Sequence, residues 1–339
     1  MKTAVVILNW NGEKYLKQFL PILIKYTQHP EIELYVADNA STDHSLSVLS
    51  EQFPTVKTIL LDKNYGFAGG YNKALAQIET DYFVLLNSDV EVTENWLQIL
   101  IEYMDTHQDV AACQPKIRSF YNRNYFEHAG AAGGFIDMFG FPFCRGRVIG
   151  NAEEDRGQYD DITDVFWATG ACLMIRSEIF KSAGGFDEDF FAHMEEIDLC
   201  WRLNNRGYRI SCIPQSVIYH VGGGTLHTEH PQKTYLNFRN NLLMLYKNLP
   251  QQSLSKIMIW RKLFDYVAAL QLFVTGKPQN AGSVFRARRD FKKMLPDFEQ
   301  KRNENLLLSA GHDDSKILRK SIVIEYYLKN CRTYRQLLK

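Results

Sequence analysis

Short apolar runs alternate with segments whose apolar residues recur at helical spacing. TAVVILN (3–9) is a strand-like run, and EKYLKQFLPILIKY (13–26) places Leu16, Phe19, Leu20, Leu23 and Ile24 on one helical face. The pattern then predicts a strand over 32–38, a helix over 43–53, a strand over 56–61 and a helix over 70–79. A strand over 82–86 and a helix over 94–104 follow. This β-α-β-α order implies an α/β fold with a mostly parallel sheet and helices on both faces.

In such sheets ligands collect beyond the carboxyl ends of the strands. Three polar clusters are expected there: NWNG after the first strand, DNASTD (38–43) after the second, and Asn87-Ser88-Asp89 after YFVLL. Asp38 fits either a strand-to-helix turn or a nucleoside contact. NYGFAGGYN (64–72) sets Gly66, Gly69 and Gly70 ahead of a helix, where backbone N–H groups can approach an anion, but it lacks the G-K-[ST] ending of a Walker loop. Asp89 at a strand end would be poorly solvated unless it met a cation or capped the next helix.

A second constellation is GGFDEDFFAHMEEIDLCWRLNNRGYRI (184–210). A helix over 193–205 would make Asp198 and Arg202 an i,i+4 pair and leave a carboxylate among Glu195 and Glu196 free to act as a base. VIYHVGGGT (217–225) ends a short strand at His220, before three glycines.

Composition narrows the partners. Over 339 residues, Lys+Arg and Asp+Glu are 39 each, so net charge gives no sign of a nucleic-acid partner. Residues 231–339 nevertheless hold 21 basic against 8 acidic side chains, in helix-prone amphipathic sequence. That asymmetry, with SLSKIMIWRKLFDYVAALQLFV and RARRDFKKML, fits either a helix lying on an anionic membrane or a helical appendage with a solvated basic face. Arg261, Lys262 and Asp265 interrupt the longest apolar stretch, so a membrane-spanning helix is not expected. Six cysteines without a C-x-x-C pair argue against a zinc site or disulfide framework and for a reducing, cytoplasmic setting.

Taken in order, VVILNWNG, VADNASTD, NYGFAGGYN, LLNSDVEV, FWATGACLMIRSEIF, GGFDEDFFAHMEEIDLCWRLNNRGY and HVGGGT resemble the family-2 inverting glycosyltransferases of the GT-A fold. The bacterial rhamnosyl- and galactofuranosyltransferase-like members share this pattern most clearly, over roughly residues 3–240. The resemblance implies a Rossmann-like catalytic domain over 1–230, with a nucleotide-sugar half to about 115 and an acceptor half to about 230. Residues 231–339 would then form a C-terminal helical extension.

Residue by residue, the resemblance implies that Asn9, Asn11 and Asp38 line a nucleoside site that Asn64 and Gly66 approach. Asn87-Ser88-Asp89 stands at the family's D-x-D position, so Asp89 would bind Mn²⁺ or Mg²⁺ bridging the diphosphate; Asn87, in the first Asp's place, lowers the charge there. Against the family's E-D-x-D-L, Glu196 matches the base, flanked by Glu195 and Asp198, and His220 matches a metal ligand. Trp167, just ahead of the ATGA turn, fits either a stacking platform for the acceptor sugar or a core aromatic, and Gly170 within the turn falls on the acceptor side. With an ordinary carboxylate pKa of ~4.3, Glu196 would need placement more than tuning. The implied donor is a dTDP- or UDP-sugar, and the implied acceptor a glycan or lipid-linked sugar, with peripheral contact at the cytoplasmic membrane. Rhamnose is one expected sugar; galactofuranosyl or other hexosyl transfer, a sugar nucleotidyltransferase and a non-catalytic nucleotide-sugar-binding module are the alternatives.

Overall fold

The computed structural model describes residues 1–222, 230–311 and 314–339. Gly223, Gly224 and Thr225 of the HVGGGT stretch lie outside the described residues.

The first half runs β1 (Thr3–Asn9), α1 (Glu13–Tyr26), β2 (Ile32–Asp38), α2 (Ser45–Gln52), β3 (Lys57–Leu60), α3 (Gly66–Leu75), β4 (Tyr82–Leu86), β5 (Val90–Val92), α4 (Trp96–Thr106) and β6 (Val110–Ser119). Short strands follow: β7 (Gly134–Asp137), β8 (Pro142–Cys144), β9 (Arg147–Val148), β10 (Asn151–Ala152) and β11 (Thr163–Asp164). Then come β12 (Cys172–Arg176), α5 (Ser177–Ser182), α6 (Glu195–Asn205) and β13 (Arg209–His220). The later elements are α7 (Pro231–Asn248), α8 (Gln251–Val274), α9 (Pro278–Leu307), β14 (Ile317–Leu318), α10 (Ile322–Tyr327) and α11 (Tyr334–Leu337).

The central sheet has the order β11-β13-β6-β12-β4-β1-β2-β3, with β5 paired to β13. β1 is parallel to β2 and β4, β2 to β3, and β6 to β13. β12 is antiparallel to both β4 and β6, so β3, β2, β1, β4, β6 and β13 all run one way. Their carboxyl ends share one edge, which is where the polar clusters were expected.

Side-chain alternation along the strands builds two cores. β1 directs Ala4 and Val6 to one face and Val5 and Ile7 to the other; β4 directs Phe83 and Leu85 one way and Tyr82, Val84 and Leu86 the other. Leu16, Leu20 and Leu23 of α1 and Trp96, Leu97 and Leu100 of α4 close the second face. The first is closed by Ala68, Tyr71 and Ala74 of α3, by Ile197 and Leu199 of α6, and by Leu242 to Leu245 of α7. The result is a mixed α/β architecture: a mostly parallel central sheet, helices on both faces, and a C-terminal run of helices that shares the core.

Two predicted elements are displaced. The helix expected over 70–79 spans Gly66–Leu75. The glycines do not delay it, because Phe191 O accepts from Phe67 N at 2.6 Å and Ala68 N at 3.2 Å and supplies a cap from outside the helix. The short strand expected at 217–220 is the end of β13, whose register breaks between Ile213 and Val217 around Pro214, which has no N–H to pair.

The C-terminal helices are tied in by buried charge. Lys247 Nζ of α7 donates to Asp187 Oδ2 at 2.7 Å and Asp198 Oδ2 at 2.8 Å, and Asn248 Nδ2 donates to Asp198 Oδ1 at 2.8 Å. Lys301 of α9 meets the other oxygen of Asp187. Burial alone would raise the Asp187 carboxyl, but the two ammonium groups hold it down to about 2. Replacing Lys247 with Met leaves two buried carboxylates short of a cation, which is expected to cost about 3–5 kcal/mol by chemical denaturation; an unchanged midpoint would contradict this role.

Candidate active site

The carboxyl edge gathers the amide and acidic side chains singled out in the sequence. Asn9 and Asp38 are register partners at the ends of β1 and β2. Asn9 Nδ2 donates to Asp38 Oδ2 at 3.1 Å, while Asp38 Oδ1 accepts from Ser41 N at 2.9 Å. Asn11, at φ 53°, turns its Oδ1 to Thr42 N at 2.7 Å. Asn39, which the sequence reading did not single out, links this wall to the next: its Nδ2 donates to Asn64 Oδ1 at 3.1 Å and to Gly66 O at 3.0 Å. The wall is polar and cross-linked by these hydrogen bonds, and buried Asn9 Oδ1 keeps no partner among the described residues.

Gly66 cannot be another residue without strain. Its φ is +71°, and an added Cβ would come within 2.5 Å of the Phe191 ring and of Phe191 O. The α3 N–H groups expected to face an anion donate instead to that same carbonyl.

Asn87-Ser88-Asp89 leaves β4 beside the ATGA turn, where Asn87 N donates to Ala171 O at 3.0 Å. The β5–β13 pairing sets His220 opposite Val90, so the imidazole reaches Asp89. Asp89 Oδ1 lies 3.1 Å from His220 Nε2, and the Asn87 amide lies 3.4 Å from the same nitrogen. His220 Nδ1 lies 3.1 Å from Glu127 Oε2. All three titratable groups are buried. Burial opposes charge on His220, but the two carboxylates outweigh it and raise its proton affinity; burial likewise opposes charge on Glu127, and the imidazole overcomes it and holds the carboxyl down. Two buried carboxylates around one imidazole are short of positive charge, which is the electrostatic demand of a cation site. Among the described residues, no group of three or more His, Cys, Asp or Glu is arranged so that it could hold a metal ion by itself. Glu127 had no local signal, since it joins His220 across 93 residues.

The segment before α6 is strained. Phe191, His193 and Met194 all have positive φ, at 63°, 72° and 75°. Asn240 Nδ2 of α7 fastens it, donating to Phe190 O at 2.8 Å, Ala192 O at 2.9 Å and His193 O at 2.7 Å. Conformations of this kind persist where the surroundings over-determine them. Glu195 and Glu196 then open the helix, each with an Oε2 that is buried and without a partner among the described residues. Burial, reinforced by the Glu196 charge, pushes Glu195 well above the carboxylate range. Burial also pushes Glu196 up to about 7, so it departs from the ordinary value expected.

Asp198 is fully engaged, by Arg202 Nε at 2.9 Å as well as by Lys247 and Asn248. It anchors α6 and leaves the two glutamates as the free carboxylates. Trp167 is buried, its Nε1 donating to Phe135 O at 3.0 Å and its ring against Gly134, so no face is open to a sugar. Gly170 is packed below the Phe67 ring, 3.0 Å from where a Cβ would sit.

The Glycosyl transferase family 2 profile matches residues 4–184. The O-antigen biosynthesis protein RfbC of Myxococcus xanthus is 27% identical over 65% of this chain, which spans only 17% of that protein's length. N-acetylglucosaminyl-diphospho-decaprenol L-rhamnosyltransferase of Mycobacterium tuberculosis (strain CDC 1551 / Oshkosh) is 26% identical over 64% of this chain and 75% of its own. Rhamnosyltransferase WbbL of Escherichia coli (strain K12) is 22% identical over 78% of this chain and 98% of its own. Among solved structures, GalNAc-T7 with UDP, GalNAc and Mn²⁺ superposes with a TM-score of 0.60 at 16% identity, covering 90% of this chain and 57% of that one. The mannosyltransferase PcManGT from Pyrobaculum calidifontis, with GDP-Man and Mn²⁺, gives 0.53 at 14% identity over 91% of this chain and 84% of that one. At these identities the structural likeness shows the fold alone.

The Phe191 contact has a measurable signature. Gly66→Ala is expected to destabilise the protein more than Gly184→Ala, because Gly184 shares a positive φ of +78° but has open space around its Cβ position. Equal shifts in thermal unfolding would mean that the approach of Phe191 to Gly66 carries no energetic weight.

Proposed function

This chain belongs to glycosyl transferase family 2, and from that premise we propose that it is an inverting glycosyltransferase. It moves a sugar, with rhamnose the first candidate, from a dTDP- or UDP-linked donor to a hydroxyl of a glycan or lipid-linked acceptor. The observation that carries the reading is Glu196: a carboxylate with a buried oxygen unpartnered among the described residues, at the start of α6 and directly after a segment held in strained geometry. Rhamnosyltransferases among the relatives support the choice of sugar.

In an inverting transfer the acceptor oxygen attacks the anomeric carbon as the nucleoside diphosphate leaves from the opposite face. A positioned base takes the hydroxyl proton. Glu196 suits that role through its carboxylate, and a proton affinity near neutrality lets it accept and later release the proton. Asn9, Asn11 and Asp38 would line the nucleoside site, with Asn64 and Gly66 shaping its far wall. Asp198 acts through position, holding α6 against α7. Trp167 and Gly170 would support the acceptor side from within the core.

The donor set suits a divalent cation. Asp89 and His220 offer one carboxylate oxygen and one imidazole nitrogen 3.1 Å apart, and Glu127 steadies the imidazole through Nδ1. Asn87 could contribute a neutral oxygen and Ser88 a hydroxyl. Mn²⁺ or Mg²⁺ held there would neutralise charge on the departing diphosphate. The Mn²⁺ in GalNAc-T7 and PcManGT supports this reading.

The test is nucleoside-diphosphate release, with Mn²⁺, across UDP-, dTDP- and GDP-sugars. Glu196→Gln is expected to lower kcat by ~10²–10⁴. Because only the ionised glutamate accepts a proton, kcat/KM should rise as pH passes through about 7 and level off above it. A wild-type profile already flat from about pH 5, or an unchanged rate in Glu196→Gln, would remove Glu196 as the base. Separately, chelation is expected to abolish release and added Mn²⁺ to restore it; release that persists under chelation would rule out the metal.

A further inference from the structure

Helix α8 is built inside out. Its buried residues are Arg261, Asp265 and Ala269, a single stripe four residues apart. Arg261 donates to Phe139 O at 3.1 Å, to the Asn241 side chain and to Asp265 Oδ1 at 3.3 Å, while Arg288 of α9 pairs with the other Asp265 oxygen. With its charges turned inward, the helix presents apolar side chains to solvent. Ile259 is 70% exposed, Leu263 52%, Leu270 63% and Phe273 63%, with Trp260, Val267 and Val274 beside them. Phe285 of α9 extends the face, stacking on Tyr266 at 5.6 Å. From residue 259 to 274 this apolar strip runs for about 24 Å along the helix, and Lys262 is the one charged residue on it. Folded monomers seldom leave so large an apolar face to water.

Charge decides what covers it. Across residues 256–296 there are nine basic side chains and two acidic ones, Asp265 and Asp290. Asp265 is buried in the ion network. Lys256, Lys262, Arg286, Arg289, Lys292 and Lys293 are exposed around the apolar strip. A second copy of this chain would bring the same cations against each other, whereas an anionic lipid surface matches both features. No helix among the described residues is long and apolar enough to cross a membrane. We propose that the outer face of α8, with the adjoining basic side chains of α9, is an interfacial binding surface for an anionic phospholipid bilayer. The apolar side chains enter the headgroup boundary, and the lysines and arginines meet lipid phosphates.

The assignment can be tested without donor or acceptor, so its failure would leave the transfer reading standing. The purified chain is floated with vesicles of phosphatidylcholine alone or with about one quarter phosphatidylglycerol, at low salt and at about 0.5 M salt. Binding is expected to the anionic vesicles, weakened by salt. The exposed-site variant Leu263→Ser/Leu270→Ser/Phe273→Ser should keep its circular dichroism and thermal midpoint yet bind about tenfold less or weaker. Absence of wild-type binding to either vesicle would overturn the proposal, as would equal binding by the variant. A dimer in sedimentation velocity that the same variant splits would assign the face to self-association instead.

Discussion

The candidate active site depends on one buried ammonium group. Lys247 comes from α7 and lies between Asp187, on the segment preceding α6, and Asp198, on α6 itself, the helix that carries the proposed base. Two carboxylates so close and so buried would repel each other without it. Asn240 and Asn248 of the same helix fasten the strained backbone and the second Asp198 oxygen. The C-terminal helices thereby set the geometry of residues far earlier in the chain. They do so with polar side chains placed inside the protein, where misalignment is costly.

That support permits a site that breaks ordinary folding preferences. Three non-glycine residues in the left-handed region and two glutamates with unpartnered oxygens would be unfavourable in a free loop. Here the Phe191 carbonyl caps α3, the Asn240 amide holds the carbonyls on either side of it, and Glu196 keeps one buried oxygen without a partner among the described residues. Around Asp89, two buried carboxylates flank one imidazole, the arrangement from which a cation site is proposed.

Much of this was legible in the sequence, for identifiable reasons. The strands over 3–9 and 82–86 are apolar on both faces, and with the strand over 32–38 they lead into polar side chains, so their position and their ligand edge could be read directly. The Asp198–Arg202 pair followed from helical spacing. The reversal of β12 did not, because CLMIR carries no directional signal. Glu127 was invisible because only non-local pairing brings it to His220. Trp167 read as a candidate sugar platform, yet Gly134 lets its ring sink into the core. Arg261 and Asp265 read as interruptions of an apolar helix, whereas their mutual pairing lets them point inward and reverses which face meets solvent.

The central claim is a single displacement assisted by one carboxylate base. Its most direct test is the anomeric configuration of the transferred sugar, followed by proton NMR during turnover with a donor of known configuration. The account predicts a product whose anomeric centre is inverted relative to the donor. Retention of configuration would require a different arrangement of catalytic groups and would contradict it.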